Sequence, residues 1–483
     1  MRFQDIYDQL SLVATGRALR FSAINEQLAK YKKNMEIGSI RPRKYRFKVA
    51  MTFIITIVIA LMSWRIIQEI FIIDWWLGLY GLIVGFMIFT SFFCSAFYKD
   101  PALSSKPTHT DQSQQERNPL VSAVISVKND QHVIGDTVNS CIQSSYANLE
   151  VVVVNDGSND NGATAAAIDL IHMQNLQRVK TVHLERNMGK RRAVREGINR
   201  QAKGEILVLL DSDTIVEKDA IRNLVRCLTN DPDMGAAVGY CRPFNPDVNR
   251  LTKAEDTWYH GSFRVGKGME AVLGTVTCCS GTLSAYRMEA VLPALDMWAE
   301  DKFCGVDFHP GDDRQLTAMV YGGTKHYIDK NAKQWNTTYC ESAVSMSEVP
   351  TTFKKFIRQQ IRWKKSWVRV FCFTAPYFYK NRNPVSVAYY YMQMGISFIA
   401  PLIALRNIVI IPLTGGGWDS ALLYIGGLMA LSLLFGVDYV LYNPGTGNRW
   451  MYRFGITLLS VNCLHWLLYY AIITIKKNGW LTR

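Results

Sequence analysis

Apolar positions follow two different rhythms along this chain of 483 residues. The first is continuous, in five runs: FKVAMTFIITIVIALMSW (47–64), WWLGLYGLIVGFMIFTSFFCSAF (75–97), SVAYYYMQMGISFIAPLIALRNIVIIPL (386–413), ALLYIGGLMALSLLFGVDYVLY (421–442) and GITLLSVNCLHWLLYYAIITI (455–475). Each is long enough to cross a bilayer, which takes about 20 mostly apolar residues. A buried soluble helix can mimic one such run, but five of them predict an integral membrane protein. Pro401 and Arg406 point to a broken or re-entrant run at 386–413. An arginine at that depth is expected inside the protein or facing a polar pathway.

Between residues 98 and 385 the rhythm is that of a soluble α/β domain. LVSAVISV (120–127), LEVVVVND (149–156), RVKTVHLE (178–185), EILVLLDSD (205–213) and GAAVGY (235–240) are short, β-branched runs. They suit strands buried on both faces. Helices fit at 133–145, 188–202 and 218–228, so an open, mostly parallel, Rossmann-like sheet is predicted. In such a sheet, ligands bind beyond the carboxyl ends of the strands. Residues 99–119, rich in Ser, Pro and Gln, read as a linker. The resulting division is a basic helical segment on the cytoplasmic membrane surface (1–46), two transmembrane helices (47–97), a linker (98–119), the α/β domain (120–350), an amphipathic interface helix (351–372) and C-terminal transmembrane helices (386–475).

Charge sharpens the topology. The formal net charge of +14 could suggest nucleic acid, but eleven cations crowd into residues 1–48, beside the first run. Positive residues there favour the cytoplasmic side. The link to the second run carries Glu69 and Asp74 against Arg65, which suits the outside and leaves the α/β domain in the cytoplasm. Three further spans would put Lys476, Lys477 and Arg483 outside, against that tendency. The ten cysteines form no C-x-x-C pair or zinc-type spacing and suit a reducing compartment.

The chemistry-bearing residues gather at strand ends. Asp211 and Asp213 leave a buried strand two residues apart and offer oxygen ligands suited to Mg²⁺ or Mn²⁺ holding a diphosphate. An acidic solvated turn is the bland alternative. Asp156-Gly157-Ser158 closes the second strand with a carboxylate able to accept bonds from a base or ribose, although Asp-Gly is also an ordinary turn. Lys190 opens a helix, where phosphate binds well; a solvated basic face is equally common. In Gly311-Asp312-Asp313-Arg314, adjacent acids followed by arginine suit one positioned general base, with the arginine tying down its neighbour. RQQIRWKKSW (358–367) places Gln359, Arg362 and Trp363 on one helical face. Arg362 offers a planar fork to a diphosphate, and Trp363 a flat face to a sugar ring. Phe353, Phe356, Trp367 and Phe371, with the nearby lysines, suit the same helix lying at a membrane interface.

The order DGS (156–158), DSD (211–213), GDDR (311–314) and QQIRW (359–363), between membrane runs, resembles the processive family 2 glycosyltransferases. The likeness is greatest to the class I hyaluronan synthases and the related rhizobial chitin-oligosaccharide synthases. It implies a GT-A fold and a plasma-membrane enzyme that polymerises UDP-sugars and passes the growing polysaccharide through its own spans, among membrane lipids and without nucleic acid. Carried over by position, Asp156 contacts the uridine, and Asp211 and Asp213 the UDP and its Mg²⁺ or Mn²⁺. Asp313 is the base, and Gln359, Arg362 and Trp363 line the donor diphosphate and the acceptor; Lys190, Asp312 and Arg314 join them as candidate substrate-binding residues. CCSGTLSAYR (278–287) is similar to the acceptor segment of hyaluronan synthases, bringing in Cys279, Ser280 and Gly281, with Thr282 where those have Pro. Hyaluronan, from UDP-GlcNAc and UDP-glucuronate, is the expected product, and chitin or another exopolysaccharide the alternative. A glucuronate carboxylate needs a nearby cation, for which Arg314 and Arg287 are candidates. A lipid-decorating transferase and a receptor or channel are the competing readings. Q-x-x-R-W argues against the first, and the second leaves the acids unexplained.

Overall fold

The computed structural model describes residues 74–104 and 118–477, so the basic segment 1–46, the run 47–64 and most of the linker lie outside the described residues. The first described helix, α1 (Trp75–Ala96), starts on Asp74, whose carboxylate accepts the Leu77 N–H at 3.2 Å. The α/β domain then alternates as the apolar pattern predicts. β1 (Val121–Val127), α2 (Ile134–Ile142), β2 (Leu149–Asn155), α3 (Ala163–Gln174), β3 (Val179–His183), α4 (Lys190–Gln201) and β4 (Ile206–Leu210) come first. The two-residue β5 (Ile215–Val216), α5 (Ala220–Thr229) and β6 (Met234–Pro243) follow.

Strands β3, β2, β1 and β4 run parallel in that spatial order. The strand order reverses between β1 and β4, which makes the crevice at their carboxyl ends the expected ligand position. Alternate residues feed two cores: Val124, Val152 and Val154 on one face, Ala123, Ile125, Val151 and Val153 on the other. The rest of the eight-stranded sheet is mixed, so "mostly parallel" holds for one half only. After α6 (Arg250–His260), β7 (Ser284–Arg287) enters antiparallel between β4 and β6. A small hairpin, β8 (Lys302–Phe303) and β9 (Val306–Asp307), precedes α7 (Asp312–Ala318). Finally β10 (Asn336–Ser347) pairs parallel with β6 and antiparallel with β5 at the edge.

The 22-residue α8 (Phe353–Thr374) follows, with Thr352 as its N-cap. Two of the residues expected at a membrane interface face protein instead. Phe356 is buried against Trp258, and Lys365 gives its ammonium to the carbonyls of Thr474 and Lys477 at 2.6 and 2.7 Å. These residues serve protein packing and the cap of a helix end, where unsatisfied carbonyls attract cations.

Among the described residues, four helical stretches are long and apolar enough to cross a membrane: Trp75–Ala96, Pro384–Leu413, Asp419–Tyr442 and Gly447–Ile473. The second stays helical through Pro401, as α9 (Pro384–Leu405) and a wider turn at Arg406–Ile410. Arg406 pairs with Asp74, the N-cap of the first described helix. The third is α10 (Asp419–Tyr442). The break falls in the last run instead, at Cys463, between α11 (Tyr452–Asn462) and α12 (Leu467–Ile473). That run starts and ends against the α/β domain and α8: Arg449 pairs with Asp256 of α6 at 2.9 Å, and Lys365 holds its far end. Spans and domain are also joined by Tyr439 bonding Asp256 at 2.6 Å and His260 meeting Asp438 at 2.9 Å.

Candidate active site

The carboxyl ends of β2 and β4 and the first turns of α4 and α7 converge on one cluster of charge. Lys190 is its hub, with Nζ 2.6 Å from Asp211 and 2.8 Å from Asp312. Burial works against a charged lysine, but the two carboxylates win and raise its pKa. Burial would likewise raise Asp312, yet Lys190 first, then Arg191 and Arg362, hold it below the usual carboxylate range. Asp312 is thus tied down as expected, but by Lys190 in place of Arg314.

Each neighbouring motif braces this hub. Asp156 is buried and accepts the backbone N–H groups of Met188 and Gly189 at 2.7 and 3.0 Å, fixing the loop that delivers Lys190. Burial raises its pKa in spite of those bonds. Gly157 adopts φ +56°, and a Cβ there would collide with the backbone of Arg186 and Asn187, so only glycine fits this turn. Ser212 is clamped by its hydroxyl to Asp130 at 2.6 Å and by its carbonyl to Thr137 at 2.8 Å. That clamp fixes the backbone from which Asp211 and Asp213 project. The Ser347 hydroxyl lies 3.4 Å from Asp213. Asp211 keeps 35% of its side chain exposed. Two carboxylates on a rigid turn, one of them open, fit a hard divalent ion that keeps waters and takes its remaining ligands from phosphate.

Asp313 stands beside the hub. Its carboxylate accepts the N–H of Gly281 at 3.2 Å and of Arg314 at 2.7 Å, with the Cys278 thiol 3.8 Å away. Gly281 has no room for a side chain without crowding Lys190 and Asp211, whose atoms stand 3.3 Å from where a Cβ would be. Ser280 lies next to it, half-buried. Cys279, expected at the substrate, is fully buried in the core; its N–H goes to Thr317 and its carbonyl accepts from Tyr286. Its neighbours, and not its side chain, reach the site. Arg287 is a second correction. It points away from the site and bonds the carbonyls of Met234 and Asp231 at 2.8 and 3.2 Å.

On α8, Gln359 is buried, with Oε1 lacking a hydrogen-bond partner among the described residues. Trp363 keeps 37% exposure, and its ring centroid is 6.5 Å from that of Tyr259. Arg362 lies near enough for its charge to act on Asp312. Several residues here escaped the sequence reading. Trp298 donates Nε1–H to the Asp312 carbonyl at 2.7 Å. Glu255 on α6 is buried with both oxygens lacking partners, and burial pushes its pKa up to about 8. Lys364 is pushed down to about 8 by burial and then by Arg314. An unpaired acid within an apolar helix face gives no signal in a linear sequence. One Asp/Cys/Cys group, Asp100, Cys227 and Cys340, also brings ligand-type atoms within 4.8 Å. It sits on the sheet edge, where Asp100 already accepts the Ser342 N–H at 2.7 Å.

Comparison with known proteins agrees with this geometry. Residues 122–292 match the family described as Glycosyl transferase family 2. A hyaluronan synthase of Streptococcus pyogenes is 28% identical over 366 residues, covering 75% of this chain and 83% of the relative. An N-acetylglucosaminyltransferase of Azorhizobium caulinodans is 26% identical over 343 residues, 71% of this chain and 81% of the relative. The solved mannosyltransferase of Pyrobaculum calidifontis, in complex with GDP-Man and Mn²⁺, superposes with a TM-score of 0.51 at 19% identity, over 82% of this chain and 98% of that one. That likeness shows the GT-A fold.

Proposed function

We propose that this membrane protein, whose residues 122–292 are a family 2 glycosyltransferase domain, is a polysaccharide synthase. Lys190 carries the reading, since it joins the acids of two separate motifs into a cationic hub at the strand ends. In the proposed reaction Asp313 takes the proton from the acceptor hydroxyl as that oxygen attacks the anomeric carbon of a UDP-sugar. The diphosphate leaves on the opposite face, which inverts the centre. Lys190 and Arg362 stabilise the charge that develops there, worth more in a partly dry site than in water. Asp211 and Asp213 would hold Mg²⁺ or Mn²⁺, which supplies further neutralisation of the diphosphate when bound. Asp156 sets the loop next to the nucleotide, Ser280 and Gly281 floor the site, and Trp363 stacks on the acceptor sugar with Gln359 beside it.

Hyaluronan is the proposed product. Arg314 and Lys364 supply its physical requirement: two half-buried cations close enough for one to depress the other. An anionic sugar between them would relieve that repulsion, whereas a chain of acetamido sugars alone would not. The reading places the domain in the cytoplasm at the plasma membrane, from the basic N-terminal segment. In this reading the last run, held at its far end by Lys365, returns to that same side with Lys476 and Lys477, in accord with the positive-inside tendency. The purified protein is to be supplied with UDP-GlcNAc, UDP-glucuronate or both, with and without EDTA. The product is then digested with hyaluronan lyase or chitinase. Metal-dependent, lyase-sensitive polymer from the mixture alone is expected. Lyase-resistant polymer from UDP-GlcNAc alone would assign a chitin-type synthase instead.

A further inference from the structure

Three of the pieces of chain that carry the residues assigned above are helices far apart in sequence, and their alignment needs a mechanical cause. α4 brings Lys190, α7 brings Asp312 and Asp313, and α8 brings Gln359, Arg362 and Trp363. A buried carboxylate outside every motif, Asp301, touches two of these directly and the third through one arginine. Its Oδ2 pairs with Arg191 of α4 at 2.8 Å, and its other oxygen pairs with Arg369 of α8. Arg191 in turn donates to the carbonyl of Pro310, directly before the Gly311-Asp312-Asp313 turn, at 3.2 Å, and to that of Trp298 at 3.2 Å. The Asp301 carbonyl accepts the Phe308 N–H at 2.9 Å, closing the loop that leads into the same turn.

All three side chains are withdrawn from water, so this is not a screened surface pair. Arg369 donates one hydrogen bond to Asp301, and Arg191 meets the other oxygen as an ion pair while its own N–H groups hold the Trp298 and Pro310 carbonyls. Arg369 lies two helical turns beyond Arg362 on the same rigid rod, so its anchor sets the depth and roll of Trp363. Gly311 adds to the fit: it adopts φ +72°, and a Cβ there would collide with Ser366 of α8.

We propose that Asp301 is the positioning residue that registers the acceptor-carrying helix α8 against the donor-binding helix α4 and the base-carrying turn, through Arg369 and Arg191. The proposal rests on the transferase reading above. It makes Asp301 matter for the rate of transfer more than for nucleotide affinity, because Lys190 keeps its own bonds to Asp211 and Asp312.

The test uses Arg369→Met, which frees α8 and leaves Arg191 paired with Asp301, and Arg369→Gln, which keeps a polar group in the same volume. UDP affinity is measured by calorimetry on the full chain in lipid nanodiscs, and polymer synthesis is expressed per UDP-binding molecule, so lost folding is not scored as lost positioning. Both variants are expected to bind UDP within about threefold of wild type and to turn over about 100-fold more slowly, the effect of misplacing a reacting group by about 1 Å. Asp301→Asn is expected to lose as much rate and also several-fold in UDP affinity, since it leaves Arg191 unbalanced beside Lys190. An Arg369 variant that binds UDP and polymerises within threefold of wild type overturns the proposal. Wild-type protein that binds UDP but makes no polymer from any UDP-sugar would overturn the function reading on which this one rests, an outcome distinct from an Arg369 variant that polymerises as fast as an active wild type.

Discussion

The two sides of the cleft are built on opposite electrostatic plans. On the nucleotide side, every acid has a nearby donor: Asp156 holds two backbone N–H groups, Asp211 and Asp312 share Lys190, and Ser212 is clamped between two elements. On the α8 side, buried polar atoms stand without hydrogen-bond partners among the described residues: Gln359 Oε1, Gln360 Nε2 and both oxygens of Glu255. Between them the indole of Trp363 is partly exposed. A diphosphate brings fixed charge to fixed positions, so a preorganised cradle serves it. In the proposed reading the acceptor is a sugar, whose hydroxyls each give and accept bonds, and unspent hydrogen-bonding capacity on the α8 side suits such a ligand.

The largest expected effect comes from the residue at the boundary of the two plans. Asp313→Asn should lower transfer by about 10²–10⁴-fold, the usual contribution of general base catalysis, while UDP affinity stays within a few-fold. Titrating UDP and timing incorporation from the same preparation separates the two. Near-normal turnover in the Asn variant would move the base elsewhere.

A smaller effect, on the α8 side alone, sharpens the contrast. Trp363→Ala removes a flat apolar face without touching a charged group. Polymer synthesis should fall about 10²-fold through lost orientation of the acceptor, with UDP affinity unchanged. Equal losses in synthesis and UDP affinity would place Trp363 on the nucleotide side and erase the division drawn here.

What could be read from the residues follows the same divide. The parallel half of the sheet was legible because its strands are short, β-branched runs buried on both faces, and Asp156, Asp211 and Asp213 are placed by where those strands end. The antiparallel insertion of β7 was not, since four residues, SAYR, carry too little pattern. On α8 the spacing of Gln359, Arg362 and Trp363 gave their shared face. The destinations of Phe356 and Lys365 depended on α6 and α12, more than 90 residues away in each direction, and sequence spacing carries no record of such partners. Asp301 was invisible for the same reason: one acid in a loop acquires meaning only when two arginines from distant helices close on it. Arg287 shows the converse. A cation next to a site motif looked available, and the antiparallel strand that carries it turned it toward the far end of the sheet.

The smallest effect tests whether the α8 side is truly unbalanced, and Glu255 is the probe. Burial lifts its carboxyl from an ordinary 4.5 to about 8. An acid whose pKa is higher folded than unfolded stabilises the fold in its protonated form. Its contribution is full below about pH 4.5 and is lost as the pH rises toward 8, because the unfolded chain then gains more by ionising. Each unit of such a shift corresponds to about 1.4 kcal/mol, so even part of it is measurable. Glu255→Gln keeps the shape and removes the titration. Thermal midpoints of the two proteins in the same nanodiscs should coincide near pH 5 and diverge steadily up to pH 8.5, with the glutamine variant the more stable. The divergence should shrink when an oligosaccharide acceptor is added, provided its hydroxyls bond the ionised carboxylate. A constant offset across the whole range would mean that Glu255 is ionised and paired throughout, and the α8 wall would then be as fully balanced as the nucleotide cradle it faces.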